Sequence, residues 1–137
     1  MEERILDKTL KQLEGLKQTK KIEFKSYVLE KSSELLNKKL KHYNNEDLRL
    51  MISQNCGLKY LVPLAVNILK INPLVEANFY EGDLLFAILS VDENFWNEYP
   101  NLKEEIIQLF TKGEIDYELL TNSIKSKIYT AFEEFTE

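Results

Sequence analysis

The chain has 137 residues and a net charge of −5; it is 44% hydrophobic and contains only four glycines and three prolines. This length suits one domain, and the hydrophobic content argues against disorder. The single cysteine, Cys56, excludes an internal disulfide and a cysteine-based metal cluster, and it fits a reducing cytoplasm. We predict one cytoplasmic domain over residues 1–137. The charged N-terminus argues against a signal peptide, and the longest apolar run is too short and polar to span a bilayer.

Helices are predicted throughout, because apolar residues recur at helical spacing and no convincing strand alternation is present. In chain order they cover residues 3–13, 23–37, 46–56, 58–71, 80–90, 93–99, 102–112 and 117–134, with loops at 16–21 and 38–45. The helix at 58–71 is apolar on nearly all sides, which predicts a central position. The fold class is therefore all-α, a compact single-domain bundle of these eight helices.

Several residues are predicted to mark where these helices start. Asn45, Asp92, Asn101 and Asp116 have side chains that accept hydrogen bonds from the free N–H groups of a first helical turn, and we predict them as N-caps. Pro63 is predicted in the first turn of its helix, where a missing N–H costs least.

No residue pattern favours catalysis. His42 is the only histidine, and it has no second ligand at the spacing that a zinc site requires. Cys56 and His42 could pair as a nucleophile and a base, but Cys56 lies beside the most apolar segment and is better interpreted as a buried structural thiol. Glycine-rich phosphate loops are absent from the sequence. We therefore expect no enzymatic activity, no cofactor and no metal.

The charges are distributed unevenly. Residues 76–118 contain eleven acidic residues and two lysines, a net charge of −9, whereas residues 1–43 have a net charge of +4. An acidic field attracts basic proteins and repels nucleic acid. Lysines cluster at 17–25 and 38–41 and could contact phosphates, but the overall acidity favours solvated lysines. We expect a basic protein partner, no direct nucleic-acid partner and no membrane.

Aromatic and acidic residues alternate within residues 76–99, a composition that suits an interface with a basic protein. Phe79, Phe95 and Trp96 are interpreted as core residues. The remaining acids and tyrosines are the candidate binding residues: Glu76, Tyr80, Glu81, Asp83, Asp92, Glu93, Glu98 and Tyr99.

Six motifs together suggest a family. They are KTLKQLEG at 8–15, EDLRLMISQN at 46–55, GLKYLVPLA at 57–65, NPL at 72–74, FYEGDLL at 79–85 and FW at 95–96. Their order and spacing resemble the immunity proteins of bacterial contact-dependent growth inhibition (CDI) systems, over residues 8–110. The family motifs describe mostly the fold. In it, Asp47, Arg49, Gln54 and Asn55 are expected to act as internal capping and salt-bridge residues.

The resemblance implies a cytoplasmic helical protein that binds the carboxy-terminal toxin domain of its cognate secreted effector. In the branch that it implies, the toxin resembles pancreatic-type ribonucleases, which are basic and bind RNA in a cationic cleft. The resulting hypothesis is that this protein occludes that cleft. A helical adaptor for another basic protein and an enzyme are the alternatives. An immunity gene is expected directly after a large effector gene, which distinguishes the first hypothesis from the adaptor.

Overall fold

The computed structural model describes residues 3–14, 26–112, 115, 118 and 120–137, and these residues form helices and loops with no strand among them. In chain order the elements are α1 (Glu3–Leu6), α2 (Leu10–Glu14), α3 (Ser26–Leu36), a 3-10 turn (Leu40–His42), α4 (Asn45–Ser53), α5 (Leu58–Ile71), α6 (Asp83–Leu89), α7 (Glu93–Glu98), α8 (Pro100–Thr111) and α9 (Asn122–Thr136). The all-α prediction is confirmed. The predicted loop at 16–21 lies outside the described residues.

The first predicted helix, at residues 3–13, is divided into α1 and α2. Between them, Thr9 pairs with Lys39 in an isolated antiparallel bridge, and the Leu40 N–H donates to the Lys8 carbonyl at 3.0 Å. These backbone groups bond to another part of the chain, so a continuous helix cannot run through residues 8 and 9. The same backbone pairing joins the N-terminal segment to the start of the 3-10 turn.

The core is centred on α6, in which every residue except Phe86 is buried. This helix contacts α4, α5 and α9, while α8 packs against α5 and α7, and α3 packs against α4. The predicted central helix, α5, buries its Leu61 and Leu69 side but exposes Asn67 and Lys70. A seven-residue helix is enclosed more completely because its neighbours cover it along its whole length. Within the described residues, no helix combines the length and apolarity needed to cross a bilayer.

The predicted cap of α4 was wrong by one residue. Asn44, not Asn45, is the N-cap: its side-chain oxygen accepts from the Asp47 N–H at 2.8 Å, and the Asp47 carboxylate accepts from the Asn44 N–H at 3.1 Å. This reciprocal pair is a capping box. Asp47 is buried and also accepts from Lys38 at 2.7 Å, which confirms its expected internal role.

The predicted starts of two later helices also differ from the structure. Asn101 is not a cap, because α8 begins at Pro100, whose missing N–H is tolerated at the first helical position. The last helix begins at Asn122 rather than 117, because the Thr121 hydroxyl accepts from the Ile124 N–H at 3.3 Å. The predicted cap Asp116 lies outside the described residues. Asp92 does cap α7, accepting from the Asn94 N–H at 2.8 Å.

Pro63 lies inside α5 rather than in its first turn. The helix begins at Leu58, so the proline is its sixth residue, and the Lys59 carbonyl has no N–H four residues on. An interior proline costs about 3 kcal/mol or more in an isolated helix. The burial of neighbouring Leu61 and Val62 supplies the packing that keeps this helix formed.

Gly57 precedes α5 in a left-handed backbone conformation, with φ of 63°. A Cβ atom at this position would lie 2.7 and 2.8 Å from the two δ-methyl carbons of Leu10, which is fully buried. The glycine therefore lets α2 close over the junction between α4 and α5. A larger residue would push the N-terminal segment away from the core.

We predict that Gly57→Ala lowers the free energy of unfolding by about 1–2 kcal/mol from backbone conformation alone, with an added cost from the Leu10 clash. Urea denaturation of the variant measures the total. The control is the same substitution in a Leu10→Ala background, where the clash is removed and the penalty should fall. An equal penalty in both backgrounds would show that the Leu10 contact contributes nothing.

Candidate protein-binding surface

The loop that joins α5 to α6, residues 72–82, is held from inside by one carboxylate. Asp83 is 3% exposed. Its Oδ1 accepts from the Ala77 N–H at 2.7 Å, and its Oδ2 accepts from the N–H groups of Asn78 at 3.0 Å and Phe79 at 2.9 Å. Hydrogen bonds to a charged acceptor are short and stronger than neutral ones. Asp83 therefore fixes the backbone of the 72–82 loop.

Asp83 differs from the other candidate residues because it is buried, although it also lines a pocket beside the loop. Its three accepted N–H bonds use the carboxylate inside the protein. Its position as the first residue of α6 also suits a negative charge, since the N-terminus of a helix is electropositive. Its role is to position residues that a partner can reach.

Phe79 is 66% exposed, so its interpretation as a core residue was wrong. Its backbone N–H points inward to Asp83, and its side chain lies at the surface, where the Arg49 guanidinium is 4.6 Å from the ring centroid. Arg49 is itself held by Glu46, whose two carboxylate oxygens each accept a hydrogen bond from it at 2.7 Å. This confirms the expected salt-bridge role of Arg49.

Glu76 and Glu81 face each other across the 72–82 loop. Their backbones form an isolated antiparallel bridge, and both residues are exposed. Residues directly opposite in such a pair have their Cβ atoms about 4.5–5.5 Å apart on the same side, and like charges in this arrangement are destabilising. Neither carboxylate forms an ion pair with a described residue. The two charges are thus concentrated and open to a cation from outside.

A small pocket of about 270 Å³ lies next to the loop, with Phe79 and Tyr80 on one side and Arg49 on another. Lys127 of α9 borders it, with its ammonium nitrogen 5.0 Å from the Tyr80 ring centroid and 4.3 Å from that of Phe86. The Glu46 hydrogen bond raises the pKa of Arg49 above its ordinary value against the opposing effect of desolvation, and the negative charges of Glu46 and Asp83 add to it.

The other four candidate residues lie at the far end of α6. Asp92, Glu93 and Glu98 are exposed on or beside α7, and half-buried Tyr99 packs on Phe95 with ring centroids 4.8 Å apart. The seven residues of α6 separate these from the 72–82 loop by about 10 Å of helix. The structure thus places the candidates in two groups, with Glu76, Tyr80 and Glu81 in the first.

A groove joins the two groups. It has a volume of about 670 Å³ and runs between α6, α7 and α9, with Glu93 on its wall. It shares Phe86, Ser90 and Lys127 with the smaller pocket. One continuous surface therefore extends from Phe79 to Glu93, with Lys127 near its middle. Sequence reasoning missed Lys127, Arg49 and Phe86, because nothing in their spacing brings α4, α6 and α9 together.

Trp96 and Phe95 do belong to the core, as predicted. Trp96 is 2% exposed and its indole N–H donates to the Val91 carbonyl at 3.2 Å, while the partly buried Phe95 packs edge-on against its ring. These contacts fix the orientation of α7. The exposed acids of that helix are consequently presented from a rigid base.

Cys56, His42 and the second lysine cluster do not line this surface. Cys56 is buried, and His42 is exposed in the 3-10 turn. In the part of the chain that the structure describes, no group of three histidine, cysteine or acidic residues is arranged to hold a metal. Of the second lysine cluster, Lys38 pairs with Asp47 and Lys41 with Asp7, both at 2.7 Å. Lysines 17–25 lie outside the described residues.

We predict that Asp83→Asn destabilises the protein by about 1–3 kcal/mol, because the amide NH₂ would face backbone N–H donors and leave at least one unsatisfied. Hydrogen exchange at the amides of Ala77, Asn78 and Phe79 should accelerate more than exchange in α5. Asp92→Asn is the matched control: asparagine caps a helix as well as aspartate does, so its stability should hardly change. Equal losses from both variants would contradict the role given to Asp83.

Comparison with known proteins supports one family. A family model described as CDI immunity proteins matches residues 12–106. No curated protein and no solved structure matches the chain. The matched span includes the capped start of α4, the Gly57 junction, the 72–82 loop with Asp83, and all of α7. Since it covers well over half of the sequence, the chain belongs to the CDI immunity protein family.

Proposed function

We propose that this protein protects its cell by binding and neutralising the toxin of its own CDI system. Membership of the CDI immunity protein family supports a toxin partner. The observation that carries the proposal is the rigid 72–82 loop, on which Phe79 is exposed beside the opposed carboxylates of Glu76 and Glu81. Exposed aromatic rings are enriched among the residues that contribute most to binding at protein interfaces.

The partner that this surface fits is a basic protein. Tyr80 lines one end of the continuous surface and Glu93 the other. The acids near them in sequence are exposed: Glu76, Glu81, Asp92 and Glu98. Opposite charges accelerate encounter and fix the relative orientation of two proteins. An acidic surface of this extent would meet a cationic surface on the toxin.

We propose further that the toxin is a ribonuclease and that binding occludes its active-site cleft. A cleft that holds RNA phosphates needs lysine and arginine side chains, and carboxylates can accept the same charge-assisted hydrogen bonds. The resemblance of the central motifs to the immunity proteins of ribonuclease toxins supports this assignment. Inhibition would be stoichiometric, without a catalytic step by the immunity protein. It would take place in the cytoplasm, where the RNA substrates are.

Charge reversal at Glu76 and Glu81 tests the acidic part of the proposed surface. We expect Glu76→Lys with Glu81→Lys to weaken binding of the catalytically inactivated toxin domain at least about tenfold, mainly through slower association. The matched control is Glu104→Lys with Glu133→Lys, exposed residues of α8 and α9 that line neither the pocket nor the groove and give the same change in net charge. Surface plasmon resonance at two salt concentrations measures both. Equal effects from the two pairs would place the interface elsewhere, and no binding by the wild type would refute the proposed function itself.

The aromatic prediction concerns Phe79. Because its ring is largely exposed, Phe79→Ala should change the free energy of unfolding by no more than about 0.5 kcal/mol. Its affinity for the toxin should fall about tenfold or more, as expected for an aromatic hot spot. Phe79→Tyr keeps the ring and should keep the affinity. Isothermal titration calorimetry provides the comparison, and wild-type affinity in the alanine variant would exclude Phe79 from the interface.

A further inference from the structure

Lys127 lies where the small pocket meets the groove, and Glu93 and Glu134 line the same groove. Its ammonium group contacts the faces of Tyr80 and Phe86, and it forms no ion pair with a described residue. Contact with aromatic faces stabilises a cation only modestly at an exposed site, by about 0.5–1 kcal/mol. The charge of Lys127 is therefore available to an acceptor outside the protein.

The pocket beside Lys127 has the size and chemistry for a single side chain. Its volume is about 270 Å³, below the range of roughly 300–1,000 Å³ that small-molecule sites occupy. Arg49 borders the same pocket, and two of its guanidinium nitrogens are already bonded to Glu46, so its remaining N–H groups are left for an acceptor. The aromatic side chains of Phe79, Tyr80 and Phe86 line the pocket as well. Asp83 also lines it, but its carboxylate oxygens already accept three backbone N–H bonds.

We propose that this pocket receives an aspartate or glutamate side chain of the toxin, bound by Lys127 with Arg49 as the second donor. This inference rests on the proposed function. It adds a contact in which the immunity protein supplies the cations and the toxin supplies the carboxylate. The acidic residues around the pocket attract a basic partner at long range. A carboxylate seated between Lys127 and Arg49 then fixes one orientation, because only a toxin with an acidic residue at the matching place satisfies both cations.

A carboxylate fits this pocket better than a basic or an apolar side chain does. A lysine or arginine in the pocket would be repelled by Lys127 and Arg49, which costs several kcal/mol at an interface. The carboxylate that lines the pocket, Asp83, offers little compensation because it already accepts three backbone N–H bonds. An apolar side chain would fill the aromatic walls but would remove water from Lys127 without replacing its hydrogen bonds. A carboxylate satisfies the charge and can accept from both donors.

The test is Lys127→Glu, measured as the affinity for the inactivated toxin domain. General electrostatics predicts tighter binding of a basic toxin to a more acidic protein. The proposal predicts the opposite sign, a loss of at least about tenfold in affinity, from repulsion between two carboxylates. Lys125→Glu is the control, since it makes the same charge change on α9 but two residues away, on the other side of the helix. It should leave binding unchanged or slightly stronger.

A second variant separates a lost attraction from an added repulsion. Lys127→Met keeps most of the apolar stem and removes only the charge, and we expect it to lose affinity about fivefold or more. Reversal of individual acidic residues of the toxin to lysine should then identify one substitution that restores binding to Lys127→Glu. Wild-type affinity in Lys127→Met, or equal effects of Lys127→Glu and Lys125→Glu, would overturn the proposed carboxylate contact. If the wild-type protein binds the toxin and the Glu76→Lys with Glu81→Lys variant binds it more weakly, the proposed function itself still holds.

Discussion

The proposed binding surface depends on the three hydrogen bonds that the buried Asp83 carboxylate accepts from Ala77, Asn78 and Phe79. A surface loop loses conformational entropy when a partner immobilises it, and that cost reduces the affinity. Asp83 makes the loop rigid before the partner arrives. The core supports this arrangement in turn, because α6, which begins at Asp83, is enclosed by α4, α5 and α9. The hydrogen bonds that place the proposed interface therefore form only when α6 is packed in the folded core.

The helices were predictable from sequence because burial imposes a period on the apolar residues, and this period survives in α5, α8 and α9. The ends of the helices were less predictable. Asn44 and Asn45 have the same capping chemistry, and only the reciprocal bonds with Asp47 select the first. The division between α1 and α2 depends on pairing between Thr9 and Lys39, which are thirty residues apart. Such a contact leaves no local signal.

The sequence predicted which residue types form the candidate site but not where their side chains lie. Glu81 and Asp83 are two residues apart and chemically equivalent in sequence, yet one is exposed and the other accepts three backbone N–H bonds inside the protein. The same turn reverses the expectation for Phe79, since inward-facing N–H groups send its ring outward. A distinction of this kind depends on the direction of the backbone at each residue, and neither hydrophobicity nor charge determines that direction.

The surface combines two electrostatic functions that operate over different distances. The exposed acids act through the field of the whole protein, which screening limits to about 8–10 Å beyond the surface at physiological salt. They attract any basic partner. Arg49 and Lys127 act only on contact, where water is excluded and a missing or reversed charge is most costly. Net charge alone does not distinguish one basic partner from another. In the proposed interface, the pocket between Arg49 and Lys127 would supply the discrimination, because it would penalise every partner that lacks a carboxylate at that point.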